Sequence, residues 1–196
     1  MQNTTLRHAQ IEEQGLNDPF GYAMASRDAD IMPLVRDALA MGRVELMYHP
    51  VVTAEDHSLT AFYEGSARLA DEDGRYIPAA HFIPLIEETA LGRDLDCAAL
   101  RLALDHLGRK ADLRLSVNLS ARSIGDGAWR RMLDAGLQSA PDIGERLIFE
   151  ISETSAMMLH ENVTRFMNEM QPKGVGFALD GFGAGLTAFR LLKSFF

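Results

Sequence analysis

Cysteine is almost absent from this sequence, since Cys97 is the only one among 196 residues. A single thiol excludes an intrachain disulfide framework and any zinc site built from several cysteines. Long apolar runs are also lacking, because no stretch of the chain approaches the ~18 consecutive apolar residues of a membrane span. The first residues have no apolar core of the kind that a signal peptide needs. We therefore expect a cytoplasmic protein without a membrane span.

Basic side chains are the minority charge: 19 Lys and Arg stand against 28 Asp and Glu, and the formal net charge is −9. This balance argues against a nucleic-acid polymer as partner, because nonspecific binding to DNA or RNA depends on Lys and Arg. A small phosphate ligand is still possible if carboxylates hold divalent cations. The overall composition is that of an ordinary globular protein, with 47% hydrophobic and 24% charged residues.

The chain divides into a polar lead and a folded part. Residues 1–29 lack a sustained hydrophobic period, and we expect an N-terminal extension that is either disordered or a docking arm. Periodicity then predicts a helix over Asp30–Met41 and strands over Val44–Val52 and Thr60–Leu69. The loop between these strands is too short for a parallel crossover, which needs about a dozen residues. The two strands should therefore be antiparallel neighbours.

From the second strand onward, predicted strands alternate with predicted helices. This alternation favours an α/β fold in which a parallel sheet is covered by helices. The remaining predicted strands are Leu113–Ser120, Leu147–Ser152 and Val175–Asp180. The remaining predicted helices are His81–Thr89, Asp94–Leu107, Trp129–Gln138, Glu161–Met170 and Ala188 to about Ser194, the last capped by Thr187.

Polar side chains interrupt four of these strands, mostly near their C-terminal ends: Glu64, Asn118, Glu150 and Asp180. A buried carboxylate without a partner is costly, so several at corresponding places indicate one shared site. Ligands bind at that end of the strands in barrels and open α/β sheets. Oxygen donors of this kind suit Mg²⁺, Mn²⁺ or Ca²⁺. Each residue alone has a structural alternative: an ion pair, a turn or a loop cap.

Asp180–Leu186 reads D-G-F-G-A-G-L, a glycine-rich turn between a strand and a helix. Such a turn is typical of loops that hold phosphate, although its spacing is neither G-x-G-x-x-G nor G-x-x-x-x-G-K. A βα enzyme that uses this loop for a nucleotide cofactor is therefore a distant alternative. The histidines lack metal-ligand spacing, and Cys97 is expected in the core.

The order of Y-H-P, E-G-S-A-R, F-I-P-L-I-E-E-T-A-L, V-N-L-S, E-I-S-E and D-G-F-G-A-G resembles the EAL domain family, from about Leu34 to Phe196. The resemblance implies a TIM-like (β/α) barrel with an antiparallel first strand. On that basis residues 30–196 form a partial EAL domain with about five of eight strands. It also implies a bacterial signalling function: metal-dependent hydrolysis of cyclic di-GMP to linear pGpG, or cyclic di-GMP binding without hydrolysis.

The resemblance carries roles to individual residues. Four match the family's ligands for Mg²⁺ or Mn²⁺: Glu64, Asn118, Glu150 and Asp180. Arg68 matches the arginine that contacts a phosphate, and His49 stands at the substrate-contacting position of the Y-H-P motif. Glu153 matches the glutamate that steadies the glycine-rich loop, which contains Gly183 and Gly185.

Three departures from the family pattern separate two hypotheses. Gly181 replaces the second aspartate of the loop motif, Gly65 and Ser66 replace the Ala-Leu of the signature, and no counterpart of the catalytic lysine or of the water-activating glutamate precedes Phe196. One hypothesis is a phosphodiesterase whose activity, with this sequence, is weak or absent. The other is a non-catalytic cyclic di-GMP receptor or protein-interaction module. A homodimer could cover an open barrel edge.

Overall fold

A computed structural model of the chain describes residues 31–183. The N-terminal extension 1–29, Asp30, Gly185 and the helix predicted after Thr187 lie outside these residues. The strands are β1 Val44–Val52, β2 Thr60–Ala70, β3 Tyr76–Ile77, β4 Leu115–Asn118, β5 Leu147–Ser152 and β6 Gly176–Asp180. The helices are α1 over residues 31–40, α2 Ala79–Ile86, α3 Ala90–Arg109, α4 Gly127–Ser139, α5 Glu153–Met158 and α6 His160–Met170.

The six strands form one sheet in the order β1-β2-β4-β5-β6, with β3 paired to β2. β1 and β2 are antiparallel, which confirms the prediction made from their short connection. β2, β4, β5 and β6 run parallel to one another. Within residues 31–183, β1 and β6 do not pair with each other, so the described part of the sheet is open.

Two short elements escaped prediction. β3 has only two residues, too few for an alternating pattern, and forms because Ile77 and Tyr76 pair with Leu69 and Ala70. α5 follows β5 without a loop, because the Ser152 hydroxyl caps it by accepting from the Ser155 amide at 3.2 Å. β4 is shorter than expected.

The helices cover one face of the sheet. Trp129 on α4 contacts Phe149 of β5 and Phe166 of α6, with ring centroids 5.4 and 5.7 Å apart. The start of α4 is fixed by Asp126, whose carboxylate accepts from the amides of Ala128 and Trp129. A second apolar cluster packs α1, α2 and the start of α3 against β1 and β2. None of the helices within residues 31–183 is long and apolar enough to cross a bilayer.

Strand alternation separates this core from the polar side chains. Leu115, Val117 and Phe149 point to the helix-covered face and are buried. Their neighbours Asn118 and Glu150 have the opposite parity and point to the other side, because successive strand residues face opposite ways. We call the first side the helix face. The second is the site face.

Candidate functional site

The predicted ligand residues lie on the site face in a staggered row. Glu64 pairs with Ser116, so Asn118 on the same strand lies two residues further toward the C-terminal edge. Asn118 pairs with Glu150. Asp180 pairs with Ser152, two residues beyond Glu150. The row therefore rises from β2 to β6 along the C-terminal ends of the parallel strands.

The carboxylates in this row interact electrostatically. Burial raises the pKa of Glu150, and the negative charges of Glu64 and Asp180 raise that pKa further. The Ser116 hydroxyl acts in the opposite direction. Like charges that raise the pKa of Glu150 mark a place where a cation would stabilise the ionised form of this side chain.

The oxygen donors are of the type that a hard divalent cation prefers. Their arrangement does not form a coordination site, because across residues 31–183 no three His, Cys, Asp or Glu side chains converge closely enough to hold a metal ion. The side chains of the row would have to turn toward a common centre to bind one.

The surroundings of Glu64 explain part of the departure from the family signature. The Ser66 hydroxyl donates to Glu64 Oε1 at 3.4 Å, and His49 lies opposite Glu64 on β1. A Cβ on Gly65 would lie 3.1 Å from the Ser116 carbonyl oxygen and 3.2 Å from Leu115 Cδ1. Glycine at this position therefore permits the close approach of β2 to β4.

Arg68 lies on the site face of β2, four residues beyond Glu64, and is partly buried. Its cross-strand neighbour on β1 is Glu45. The guanidinium lies over the Tyr76 ring, with Cζ 5.3 Å from the centroid. Arg68 thus stands at the same edge of the sheet as the oxygen donors.

Glu153 connects β5 to the glycine-rich turn after β6. It is buried at 5% exposure, and its Oε2 accepts from the Gly183 amide at 3.0 Å. Gly181 and Gly183 have φ values of 67° and 85°, a region in which side chains other than those of Gly, Asn or Asp are strained. The loop conformation therefore depends on glycine and on the Glu153 carboxylate.

A cavity of about 390 Å³ opens beside the staggered row. Its lining combines small residues of β2, α2 and α3 with apolar and polar side chains, and Asn118 and Glu150 are among the polar ones. The small residues are Gly65, Ser66, Ala67, Ala79, Gly92 and Ala99; the apolar ones are Ile83, Ile86, Leu95 and Leu119.

Asp96 on α3 lines this cavity and was missed by the sequence analysis. Its Oδ2 accepts from the Ser120 amide at 3.1 Å, just after β4. Burial raises the pKa of Asp96 to about 6, although the bonds from Ser123 and Ser120 oppose that rise. An acid beside the apolar residues Leu95, Ala99 and Leu100 of the helix was the pattern that could have revealed it.

Residues 34–195 match the sequence model of the EAL domain. Cyclic di-GMP phosphodiesterase PdeB of Shewanella oneidensis is 29% identical over 166 residues, which cover 81% of this chain and 19% of PdeB. Oxygen sensor protein DosP of Escherichia coli is 27% identical over 165 residues, which cover 82% of this chain and 20% of DosP. The chain thus spans about a fifth of these relatives.

Solved structures show the same fold. The FimX EAL domain of Pseudomonas aeruginosa bound to c-di-GMP has a TM-score of 0.73 and 25% identity, covering 84% of this chain and 67% of that one. The PaMucR phosphodiesterase in complex with c-di-GMP has a TM-score of 0.68 and 26% identity, covering 84% and 68%. The predicted fold class, a TIM-like arrangement with an antiparallel first strand, is confirmed.

Proposed function

The chain belongs to the EAL domain family, and from this premise we propose that it binds cyclic di-GMP and hydrolyses it to linear pGpG in bacterial signalling. The observation that carries the proposal is the staggered row of oxygen donors on the site face, next to a cavity and a basic side chain. Known relatives with 27 to 29% identity include a cyclic di-GMP phosphodiesterase.

The row supplies the proposed cation site. Glu64, Asn118, Glu150 and Asp180 would hold Mg²⁺ or Mn²⁺, which provides the Lewis acidity for attack of water on a phosphodiester. The repulsion at Glu150 supports this assignment, because a bound cation would offset it. Glu153 keeps the neighbouring loop in place through the Gly183 amide.

The chain's own side chains would bind the dinucleotide at the same edge. Arg68 would donate to a phosphate, because a guanidinium matches the geometry of two phosphate oxygens. His49 lies level with Glu64 and would contact the same end of the ligand. Gly183 lies in the turn after β6 and donates to Glu153; the role of Gly185, which is outside the described residues, stays a prediction.

Asp96 is our candidate for recognising the guanine base. The cavity has apolar walls for a flat ring, and the Asp96 carboxylate can accept from the N–H groups on the Watson–Crick edge of guanine. The Ser120 amide, which donates to Asp96 Oδ2, holds the carboxylate in the cavity wall. Guanine carries such donors on its edge, and adenine does not offer the same pair.

A non-catalytic receptor is the second candidate. Gly181 offers no side-chain oxygen where the family has its second aspartate, and the described acids do not converge into a formed metal group. The FimX EAL domain with bound c-di-GMP is a structural neighbour. In this alternative Arg68 and Asp96 keep their binding roles, and the row of acids contributes little.

Calorimetry with cyclic di-GMP, with and without Mn²⁺, tests the proposal when combined with chromatography of the products. Binding with release of pGpG supports the phosphodiesterase, and binding alone supports the receptor. Glu64→Gln should abolish hydrolysis, whereas Asp96→Asn should weaken binding with or without the cation. Absence of binding in the unaltered protein would reject both candidates.

The proposal includes a cytoplasmic location and self-association. β1 and β6 are the edges of the sheet within residues 31–183, and exposed edges favour pairing with a second chain. Sedimentation over a range of concentrations distinguishes a homodimer from a monomer.

A further inference from the structure

Glu45, Arg68 and Tyr76 form a cluster across three neighbouring strands. Leu69 pairs with Val44 of β1 on one side and with Ile77 of β3 on the other, so β2 lies between β1 and β3. The Tyr76 hydroxyl donates to Glu45 Oε2 at 2.7 Å. The tyrosine therefore reaches across β2, and the Arg68 guanidinium lies against its ring.

The nitrogen donors of Arg68 remain available in this arrangement. The Arg68 side chain makes no hydrogen bond and no ion pair with any residue of the range 31–183. Glu45 is directly opposite on β1, yet its carboxylate accepts from the Tyr76 hydroxyl instead. An arginine placed over an aromatic ring keeps its N–H groups free for an oxyanion.

We propose that Tyr76 and Glu45 are positioning residues that hold Arg68 ready for a phosphate oxygen of the ligand. The inference rests on the proposed function, because Arg68 acts there as the phosphate-binding side chain. The ring limits the rotamers of Arg68 before binding, and so less side-chain freedom is lost when the phosphate arrives. The Glu45 bond fixes the ring and keeps the Glu45 carboxylate away from Arg68.

Substitution of Tyr76 tests this role through affinity. Tyr76→Leu removes the ring, and we expect the Kd for cyclic di-GMP to rise about two- to fivefold, the size of an exposed cation–π contact. Tyr76→Phe keeps the ring but frees Glu45 to pair with Arg68, and it should also weaken binding. Adding Glu45→Gln to Tyr76→Phe should restore part of the loss. Tyr63→Leu is the matched control, since Tyr63 is on β2 but on the opposite face.

A double-mutant cycle separates positioning from a general structural effect. In an Arg68→Ala background, Tyr76→Leu should change the Kd no further. In the protein without ligand, the Arg68 Nε–H order parameter measured by NMR relaxation should fall in Tyr76→Leu and stay unchanged in Tyr63→Leu.

The outcomes distinguish this inference from the function on which it rests. If Arg68→Ala weakens binding while Tyr76→Leu does not, the positioning role is rejected and the proposed function stands. Equal losses for Tyr76→Leu with and without Arg68 also reject it. If the unaltered protein does not bind cyclic di-GMP, the proposed function fails and this inference fails with it.

Discussion

The two faces of the sheet have the same strands and opposite chemistry. On the helix face, side chains such as Leu115 and Phe149 are buried at 0% and 1% exposure among the helices. On the site face, Asn118 and Glu150 from the same strands carry oxygen atoms toward an open edge. Apolar burial supplies most of the folding free energy, so the first face holds the protein together. The second face is then free to keep acids whose mutual repulsion opposes folding.

Trp129 is the strongest test of that division. Trp129→Ala removes a fully buried ring that contacts Phe149 and Phe166, and the loss should be about 3–5 kcal/mol of unfolding free energy. Urea denaturation followed by circular dichroism measures it. Glu64→Gln on the site face is the comparison variant and should change stability by less than about 1 kcal/mol. Equal losses in the two variants would contradict the conclusion that the helix face supplies most of the stability.

Asp96 lies at the boundary of the two faces and should make stability depend on pH. Its pKa of about 6 in the folded protein exceeds the ordinary 3.8, because burial disfavours the charged form. Its favourable contribution is therefore complete below about pH 4 and is lost as pH rises through 6. The difference between these two pKa values, converted at about 1.36 kcal/mol for each pH unit, gives a loss of about 2–3 kcal/mol of unfolding free energy.

Urea titrations of the protein and of Asp96→Asn between pH 4 and 7 measure this loss as the difference between the two curves. Asp94→Asn, an exposed acid on the same helix, serves as control and should follow the unaltered protein. Parallel curves for the protein and Asp96→Asn would show that Asp96 does not carry the pH dependence.

Gly181→Asp would add an oxygen donor to the turn directly after Asp180. A Cβ at this position meets no other atom within 4 Å, but the φ of 67° disfavours most side chains. Aspartate tolerates that region, so we expect a stability cost of about 1 kcal/mol. Thermal unfolding with increasing Mn²⁺ should show stronger metal stabilisation than in the unaltered protein. Gly181→Asn pays the same conformational cost without the charge, and equal metal responses of both variants would contradict the prediction.

Glu150→Gln should have the smallest effect on folding. Removing the charge relieves repulsion from Glu64 and Asp180, so stability should stay the same or rise slightly. The same change should reduce the upward shift of the melting temperature that Mn²⁺ causes. Glu145→Gln, which removes an exposed acid outside the row, is the control. A marked loss of stability in Glu150→Gln would mean that this carboxylate supports the fold.

The sequence predicted the strands well where alternation and spacing were decisive. β1 and β5 have the predicted bounds, and the antiparallel pair followed from the short loop. α3 begins at Ala90, earlier than the predicted Asp94, because the Thr89 hydroxyl accepts from the Leu91 amide at 3.2 Å. β3 depends on long-range pairing, which no local pattern contains.

The sequence predicted which residues form the site, but not how they are arranged. Polar residues in apolar strands identified Glu64, Asn118, Glu150 and Asp180. Their stagger depends on the register between strands, which is set by packing and not by local sequence. Asp96 was missed because a helix residue reaches the sheet edge only through tertiary contacts.

The staggered row makes the site sensitive to insertions inside a strand. An extra residue in a connection between elements leaves the parity of every strand unchanged. An extra residue inside β4, before Asn118, would turn that side chain from the site face to the helix face, since successive residues alternate. Variation in length among relatives of this chain should therefore be tolerated in the connections and excluded from the strands.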